Sequence, residues 1–191
     1  MNRAGIKGLI LKNRSYRRFH EDTAISFETL KELVGLARYS ASAANLQPLK
    51  FILSCDSEKN KKIFPHLAWA GYLKDWPGPD KGERPSAYII ILGDKEVADN
   101  FGCDHGIAAQ SILLGAVEKD LGGCMIGSIK RDGLRRDLNI PQRYDILLCL
   151  ALGRPKEKVV IEGAAEEIRY WRDGKETHHV PKRPLDEIVL K

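Results

Sequence analysis

The sequence predicts a fold in which α-helices and β-strands are mixed within a single domain. Its 191 residues correspond to one domain, or at most to two small ones. Hydrophobic residues make up 43% of the chain and charged residues 30%, which is ordinary for a protein that folds around its own core. Short apolar runs of strand length occur between stretches of helical periodicity, so we expect both kinds of element throughout the chain.

Two helices, a strand and a third short helix are predicted in the first third of the chain. Apolar residues at helical spacing indicate a short helix over residues 3–12. Ser26 is suited to cap an amphipathic helix that continues to about Tyr39. Residues 49–55 have the composition of a strand, and residues 58–64 that of a short helix.

The middle of the chain predicts a buried strand followed by a buried helix. Residues 86–93 form a near-continuous apolar run, which suits a strand covered on both faces. Asp104 is predicted to cap a helix over residues 106–121, and Gly122 and Gly123 are predicted to end it. Because this helix is apolar on nearly all sides, we expect it in the core or at a subunit interface.

Two further strands are predicted at residues 124–129 and 144–152, with a short helix at 132–138 between them. The tail from residue 156 to 191 has no strong periodicity. Because apolar residues return near its end, we expect the tail to lie against its own domain or against a partner subunit.

Residues 65–85 are the least regular part of the sequence. They contain His66, Trp69, Tyr72 and Trp76, followed by several prolines. A long excursion of this kind is typical of a lid or a pocket wall. An aromatic cluster beneath a loop is an equally good interpretation at this point.

Charge and cysteine usage argue against several classes of protein. Lys and Arg exceed Asp and Glu by 31 − 26 = 5, but the cations are scattered and form no nucleic-acid stripe. The four cysteines lack CxxC spacing, and the adjacent His178 and His179 would point in different directions, so we predict no metal site. Reduced thiols, no signal-peptide core and no apolar run of membrane length predict a soluble, cytoplasmic protein without a membrane partner.

A basic run at residues 13–19 is the first candidate for function. Arg14, Arg17 and Arg18 place three guanidinium groups beside the hydroxyl of Ser15. Guanidinium donors fit phosphate oxygens, so one interpretation is a phosphate clamp, and a solvated basic loop is the other. The run follows the C-terminal end of the first helix, whose dipole repels anions, so side-chain charge would have to hold a phosphate. Arg18 alternates away from Arg17 and is expected to face solvent.

A second candidate is the stretch from Ser40 to Pro48, which is rich in small and amide side chains. Small residues let the backbone approach a ligand closely, and Asn45 and Gln47 offer donors and acceptors that suit the edge of a heterocycle. A plain connection between a helix and a strand is the alternative. No dinucleotide-binding glycine fingerprint, phosphate-binding P-loop or GxSxG element accompanies either candidate.

Several separated motifs together resemble the nitroreductase family of FMN-dependent oxidoreductases. Arg14–Phe19 is similar to the family's N-terminal R-S-x-R-x-F/Y, and Ser42–Pro48 is similar to its S-x-x-N-x-Q-P. Gly122–Ser128 resembles its G-x-G-x-C-W-I-G segment, and Pro181–Val189 resembles its closing K-R-x-P-L-x-E-I. The order and spacing of these motifs fit from about residue 6 to residue 189.

The resemblance implies an α+β fold with a central mixed β-sheet flanked by helices, formed by residues 1–191 as one FMN-binding domain. It also implies a homodimer with two FMN sites at the subunit interface, each built from both chains. The helix at 104–121 would lie at the centre of the dimer, and the C-terminal tails would be exchanged between subunits.

Site residues follow from the matching motif positions. The resemblance assigns the FMN phosphate and ribityl end to the two outer motifs, through Arg14, Ser15, Arg17 and Lys182, with Tyr16 and Arg183 beside them. It assigns the ribityl and isoalloxazine region to Ser42, Asn45 and Gln47, and the flavin ring edge to Met125, Ile126 and Gly127.

The sequence departs from the family pattern at several of these positions. Asn13 stands where many members have a further Arg, and Ala41 stands where many have Pro. Leu49 and Met125 stand where many have Trp. Aromatic residues elsewhere in the chain are candidates to replace the two that are lost, namely Trp69, Tyr72 and Trp76.

The implied activity is a ping-pong transfer of hydride from NAD(P)H to flavin N5 and then to a small-molecule electron acceptor, such as a nitroaromatic or a quinone. The cofactor carries the chemistry, so no catalytic residue is assigned to the protein. Two alternative functions are also compatible with the sequence. One is a protein that binds or handles flavin without nicotinamide-driven turnover, and the other is a basic domain that binds a polyanion.

Overall fold

The computed structural model describes residues 5–164 and 167–190, and the architecture is an α+β fold. The helices in these residues are α1 (Ile6–Lys12), α2 (Phe27–Arg38), α3 (Ser57–Ile63), α4 (Asp104–Glu118), α5 (Arg131–Asp137) and α6 (Leu185–Ile188). The strands are β1 (Phe19–His20), β2 (Leu49–Ser54), β3 (Ala87–Asp94), β4 (Gly122–Ile126), β5 (Tyr144–Pro155), β6 (Val159–Gly163), β7 (Trp171–Arg172) and β8 (His178–Lys182). Short 3₁₀ turns occur at Ala43–Asn45 and Phe64–His66.

The centre of the molecule is the pairing of β3 with β5, and β2, β4 and β1 extend the sheet around it. Every residue of β3 is buried, which confirms the prediction of a strand covered on both faces. Ile89 and Ile91 face one core with α2 and α4, whereas Tyr88 and Ile90 face a second core with α5. Because side chains alternate along a strand, a strand covered on both faces buries consecutive residues, and those of β3 are apolar up to Asp94, which pairs with Arg143.

The predicted helices and strands are largely confirmed, with boundaries shifted by a few residues. Ser26 caps α2 as expected, since its hydroxyl accepts a hydrogen bond from the backbone N–H of Thr29. The predicted strand at 124–129 ends at Ile126. The first two residues of the predicted N-terminal helix, 3 and 4, lie outside the described residues.

The two predicted ends of α4 are wrong. Asp104 is the first helical residue, Cys103 stands at the cap position, and neither supplies a side-chain cap. At the other end the left-handed residue is Asp120, with φ of 56°, and Leu121 donates back to the carbonyl of Ala116 as in a Schellman turn.

Gly122 and Gly123 begin strand β4 instead of ending the helix. A Cβ at Gly122 would lie 2.5 Å from the ring of Tyr16, and one at Gly123 would lie 2.6 Å from the carbonyl oxygen of Ala151. The two glycines are therefore required by close packing of the strand and not by a helix terminus.

The central sheet differs from the expected mixed sheet. In the described residues all of its strand pairs are antiparallel, and its parallel contact is an isolated bridge between Ser15 and Gly123. Parallel pairing of strands occurs instead in the tail, where β6 runs parallel to β8 and β7 pairs antiparallel to β8. The sequence signal for this small sheet was weak because its strands are short and only partly buried.

Residues 156–164 and 167–182 of the tail lie against their own chain, in agreement with one of the two expected placements. Lys156 donates its N–H to the carbonyl of Arg18, and His178 donates to the carbonyl of Lys158. The last turn of the chain is different, because Leu185 and Ile188 of α6 are 68% and 63% exposed. None of the described helices is both long and apolar enough to cross a membrane.

Candidate functional site

The basic segment between α1 and β1 is fastened by Tyr16. The backbone N–H of Tyr16 donates to the carbonyl of Gly123 at 3.1 Å, and its ring packs on Gly122. Its hydroxyl donates to the carbonyl of Lys12 at 3.1 Å, and burial raises the pKa of the phenol. Tyr16 therefore anchors the segment to β4 and does not line the cavity described next.

A cavity of about 320 Å³ collects the residues of the predicted phosphate clamp. Arg14, Ser15 and Arg17 line it from the N-terminal segment, and Lys182 lines it from the tail. Met125 contributes from β4. The structure thus brings together four residues that the sequence separates by more than half of the chain, and we call these four (Arg14, Ser15, Arg17 and Lys182) the clamp.

Arg17 is the buried member of the clamp, with 9% of its surface exposed. Its Nη1 donates to the carbonyl of Ser15 at 3.2 Å and lies 3.3 Å from Nε2 of His178. The guanidinium carbon is 4.9 Å from the centre of the Tyr170 ring, a cation–π distance. These contacts hold the guanidinium in one place without any carboxylate on its donor nitrogens in the described residues.

Glu157 is a carboxylate close to the clamp, but its oxygens bind groups other than the clamp side chains. Its carboxylate accepts from the backbone N–H groups of Arg17 and Arg18 and pairs with Arg172 at 2.9 Å. The side chains of Arg172 and Glu157 are 9% and 1% exposed, so this pair is a buried support. The positive charge of the clamp is therefore left for a ligand.

Several donors at the clamp are buried without a partner in the described part of the chain. Nε of Arg14 and Nδ1 of His178 are among them, and both residues line the cavity. Nη2 of Arg14 donates a hydrogen bond to the carbonyl of Ile10 near the end of α1. Unpartnered buried donors are uncommon because each carries a desolvation cost, so a cavity that holds them fits an anion.

Arg18 does not face solvent, which corrects the expectation from the sequence. Its side chain is 23% exposed and forms a two-pronged ion pair with Glu83, with an Nη2–Oε1 distance of 2.9 Å. It also pairs with Glu176 at 2.7 Å. Strand alternation turned Arg18 away from Arg17, but residues 65–85 and the tail cover that side as well.

A second, smaller cavity of about 170 Å³ shares Arg17, Met125 and Tyr170 with the clamp cavity. Ile126 and Gly127 line it, as the motif at β4 implied. The side chain of Ile126 is buried in the core, whereas Met125 is 37% exposed. The two cavities are thus neighbours, with a charged part at the clamp and a part beside Met125–Gly127.

The aromatic residues of 65–85 serve both as a pocket wall and as a local core. Trp69 is 8% exposed, packs against Phe64 and lines the smaller cavity, where its Nε1 has no partner in the described residues. Tyr72 lies 4.9 Å from the ring of Tyr170 and donates its N–H to that hydroxyl at 3.3 Å. Trp76 lies under the guanidinium of Arg172 at 4.3 Å. Both interpretations drawn from the sequence therefore describe part of this segment.

The second motif lies elsewhere on the same chain. Ser42 and Gln47 line a separate cavity of about 650 Å³, whose apolar walls include Val34 and Phe51. Asn45 is exposed, and the amide nitrogen of Gln47 donates to both the carbonyl and the side-chain oxygen of Asn45 at 3.2 Å. In the described part of the chain, the cavity beside this loop shares no lining residue with the clamp cavity.

The loop at 42–47 is strained. Ala44, Asn45 and Gln47 have φ values of 49°, 55° and 53°, which place three non-glycine residues in the left-handed region. Strain of this kind persists where the surroundings enforce it, and it is common at ligand sites.

Asp104 enforces the loop conformation, a role that no sequence pattern indicated beyond the place of this residue at the start of α4. Its buried carboxylate accepts from the hydroxyl of Ser42 at 2.6 Å and from the N–H of Ala43 at 3.1 Å. The hydroxyl of Ser42 in turn accepts from the N–H of Gln47 at 2.9 Å. Ser42 therefore shapes the loop with its hydroxyl. The side-chain amides of Asn45 and Gln47 bond to each other, which leaves Nδ2 of Asn45 and Oε1 of Gln47 for a ligand.

Other cavity residues were not predicted from the sequence. Tyr170 and His178 line the clamp cavity from the tail, and Gln110 lines it from α4. Gln110 also accepts a hydrogen bond from Asn13 at 3.4 Å, so Asn13 lines the cavity without adding a charge. Arg183, by contrast, is exposed and lies outside the clamp cavity. No group of three or more His, Cys, Asp or Glu side chains in the described ranges is placed to hold a metal ion.

Comparison with known proteins identifies relatives over most of the chain. The model of the nitroreductase family matches residues 10–154 of the chain. A protein of Archaeoglobus fulgidus whose name proposes an NADH dehydrogenase or NAD(P)H nitroreductase is 28% identical over 158 residues, covering 78% of this chain and 85% of that protein. The NADPH-flavin oxidoreductase of Vibrio harveyi is 24% identical over 165 residues, covering 78% of this chain and 65% of that protein.

Solved structures share the fold. The FMN-dependent nitroreductase of Clostridium difficile R20291 is 26% identical with a TM-score of 0.63, over 80% of this chain and 89% of that chain. A nitroreductase family protein of Streptococcus pneumoniae TIGR4 has a TM-score of 0.72 at 16% identity, over 98% of this chain and 100% of that chain. The second match extends over the tail as well as the central sheet.

Proposed function

Because the chain belongs to the nitroreductase family, we propose that it is an FMN-dependent oxidoreductase that takes hydride from NAD(P)H and passes it to a small electron acceptor. The observation that carries this proposal is the clamp. One chain gathers two guanidinium groups, a serine and a lysine around a cavity of about 320 Å³ that also holds unpartnered buried donors. Such a donor set fits a phosphate monoester, which is the charged end of FMN.

We expect different residues to bind the phosphate and the ring of FMN. Arg14, Arg17 and Lys182 would neutralise the phosphate, and Ser15 would add a short neutral donor. Met125 and Gly127 would lie along the ring, in the smaller cavity that adjoins the clamp. FMN, when bound, supplies the redox chemistry, while the protein binds it, orients it and limits access of water.

We propose that NAD(P)H and the acceptor bind in turn at one position beside the flavin, which is the ping-pong scheme implied by the resemblance. The smaller cavity, which residues 68–71 and Tyr170 line, supports this proposal. Trp69 and Tyr170 are the aromatic surfaces there, and they stand in for the tryptophan that Met125 replaces. A nitroaromatic or a quinone suits an aromatic wall, because its flat ring can pack against the aromatic side chains.

We also propose that residues 1–191 act as one domain and that two chains form the complete site. The clamp and the loop at 42–47 lie in separate cavities of one chain. A complete site therefore needs the clamp of one chain and the loop of a second chain. The apolar cavity beside the loop, lined by Val34 and Phe51, has room for apolar side chains. Leu185 and Ile188 of α6 are exposed and apolar, and α6 of a partner is our proposed occupant.

The test of the proposed function is flavin content and its reduction. The purified protein, reconstituted with FMN, is expected to be yellow, and anaerobic addition of NADH or NADPH is expected to bleach the flavin absorbance band. A panel of quinones and nitroaromatics then identifies the acceptor class by the rate at which the band returns. A colourless protein that FMN cannot reconstitute would contradict the proposal.

The alternative function, a flavin-binding protein without turnover, predicts a different outcome of the same experiment. Such a protein would hold FMN at the clamp, but neither nicotinamide would bleach it. Titration with FMN and with NADH or NADPH therefore separates the two candidates in one sample.

A further inference from the structure

His178 is held inside the molecule by backbone pairing on both sides. It is the first residue of β8, where it pairs with Val159 of β6 and with Arg172 of β7. Its N–H donates to the carbonyl of Lys158 at 2.8 Å. The residue is 1% exposed, and it lines the clamp cavity.

The neighbouring guanidinium determines which nitrogen of the ring carries the proton. Nη1 of Arg17 lies 3.3 Å from Nε2 of His178. A guanidinium can only donate, so Nε2 must offer its lone pair and the proton of the neutral ring must be on Nδ1. Nδ1 is buried and has no hydrogen-bond partner in the described residues. His178 is therefore a neutral donor without an acceptor.

The charges around the ring keep it neutral. Burial, followed by the positive charges of Arg17 and Arg172, lowers the pKa of His178 to about 4. The nearby carboxylate of Glu157 is taken by the backbone of Arg17 and by Arg172. His179, the next residue, turns outward to Glu162, which accepts from it at 2.9 Å.

The remaining groups that face the ring belong to the cavity itself. Arg14 and Lys182 line the same cavity as cations, and the Tyr170 ring lies 5.1 Å from the imidazole with a tilted geometry. In the described residues, no carboxylate lines this cavity. An acceptor for Nδ1 must therefore be an uncharged group or an anion that enters from outside.

We propose that His178 is an anion-binding residue of the clamp, and that its neutral ring donates the Nδ1 hydrogen to an oxygen of the phosphate group that Arg14 and Arg17 bind. The inference rests on the proposed function, in which FMN supplies that phosphate. Arg17 then has two tasks, since it binds the anion and also sets the tautomer that makes His178 a donor. A neutral donor adds a hydrogen bond without adding a third positive charge next to Arg17 and Arg172.

Two substitutions separate the donor from the rest of the ring. In His178→Asn the amide nitrogen can reach the place of Nδ1, whereas in His178→Gln the amide reaches the place of Nε2 and the Nδ1 donor is lost. By fluorescence titration, we expect FMN to bind about tenfold more weakly to His178→Gln but within about threefold of wild type to His178→Asn. His179→Gln, on the same strand but outside the cavity, is expected to bind like wild type.

Riboflavin is the matched ligand because it lacks the phosphate. Its affinity is expected to be the same for wild type and His178→Gln, provided that the ring binds phosphate and is not merely a packing group. Equal losses of FMN affinity in the Asn and Gln variants, or an equal loss for riboflavin, would overturn the proposal and leave a structural role.

Nitrogen-15 NMR of the histidine rings supplies a test that does not depend on FMN. The free protein is expected to show His178 as the neutral tautomer with hydrogen on Nδ1, and inorganic phosphate is expected to shift that signal. A wild-type protein that binds no FMN contradicts the proposed function alone. A His178 signal that shows hydrogen on Nε2, or that phosphate leaves unmoved, contradicts the inference itself.

Discussion

The two parts of the proposed FMN site are built in different ways. The clamp is assembled within one chain, because the tail returns through β8 and places Lys182 beside Arg14 and Arg17. The loop at 42–47 lies in a cavity that shares no lining residue with the clamp. Motifs group residues by the ligand they contact, whereas the structure shows which of those residues one chain can bring together.

The difference extends to the backbone. Three residues of the loop are in the left-handed region, and Asp104 holds the loop in that conformation. In the described segment 13–19, by contrast, no residue has a positive φ. The Arg18–Glu83 ion pair and the carboxylate of Glu157, which accepts from the backbone N–H groups of Arg17 and Arg18, hold the segment in place. The clamp is therefore preorganised by its own chain, and the loop stores strain that contacts with a partner would help to balance.

The largest expected effect comes from removing the end of the tail. A chain that ends after Arg183 keeps Lys182 and β8 but loses the exposed apolar residues of α6. If these residues pack into a partner, the dimer should be weakened by about 3 kcal/mol or more, roughly a hundredfold in dissociation constant. Analytical ultracentrifugation of the two chains over a range of concentrations measures this change.

A second variant, which ends after Val180, removes three more residues and distinguishes the effect of the clamp from the effect of the dimer. It also removes Lys182, so FMN affinity should fall below that of the first truncation even at protein concentrations that keep the dimer intact. A chain truncated at either point that stays dimeric and yellow would contradict the proposed exchange of tails.

The second prediction breaks the clamp alone. Arg17→Ala is expected to weaken FMN binding by about 1.5–3 kcal/mol, because a charge-assisted contact to the phosphate is lost. Titration monitored by flavin fluorescence measures the affinity. Arg136→Ala removes an equal charge from an exposed position on α5 and is expected to leave the affinity unchanged. Equal affinities of wild type and Arg17→Ala would show that the clamp has been assigned wrongly.

The elements of the core were predictable because burial leaves a strong pattern. The run at 86–93 is apolar at nearly every position, because both faces of β3 are covered. The small sheet of the tail was not predictable, because β7 has two residues and β6 and β8 are only partly buried. Short strands that pair across loops carry too few residues for alternation to show.

The candidate site was predictable where a motif carried it and not where tertiary contacts did. Arg14, Arg17 and Lys182 meet as the motifs implied. Asp104 was assigned to a helix cap by local propensity, but the nearby loop at 42–47 claims its carboxylate. His178 carried no signal at all, because only the pairing of β8 with β6 and β7 turns its ring toward Arg17.

The third prediction tests whether the two parts of the site come from different chains. Arg17→Ala impairs the clamp, and Asp104→Ala impairs the loop by removing the acceptor that Ser42 and Ala43 use. If each site takes its clamp from one chain and its loop from the other, a mixed dimer has one intact site and one doubly impaired site. Random mixing should then restore about a quarter of the sites to full affinity. Separate samples of each variant are the controls, and a mixture that binds FMN no better than their average would place both parts in one chain.

The smallest expected effect concerns the support of the clamp by residue 83. Arg18, with a further contribution from Lys156, lowers the pKa of Glu83 from 4.5 to about 2. Because the folded pKa lies below the unfolded one, this stabilisation is present above about pH 4.5 and is lost as the pH falls toward 2. Between pH 6 and pH 3, wild type should therefore lose about 1 kcal/mol more unfolding free energy than Glu83→Gln, a value reduced for solvent screening. Urea unfolding at the two pH values measures the difference. Glu28→Gln, at an exposed pair with Lys31 on α2, is the control and should lose as much unfolding free energy as wild type.

An equal loss of unfolding free energy in wild type and Glu83→Gln would mean that the clamp segment is held by its backbone contacts to β4 and Glu157, and not by the Arg18 ion pair.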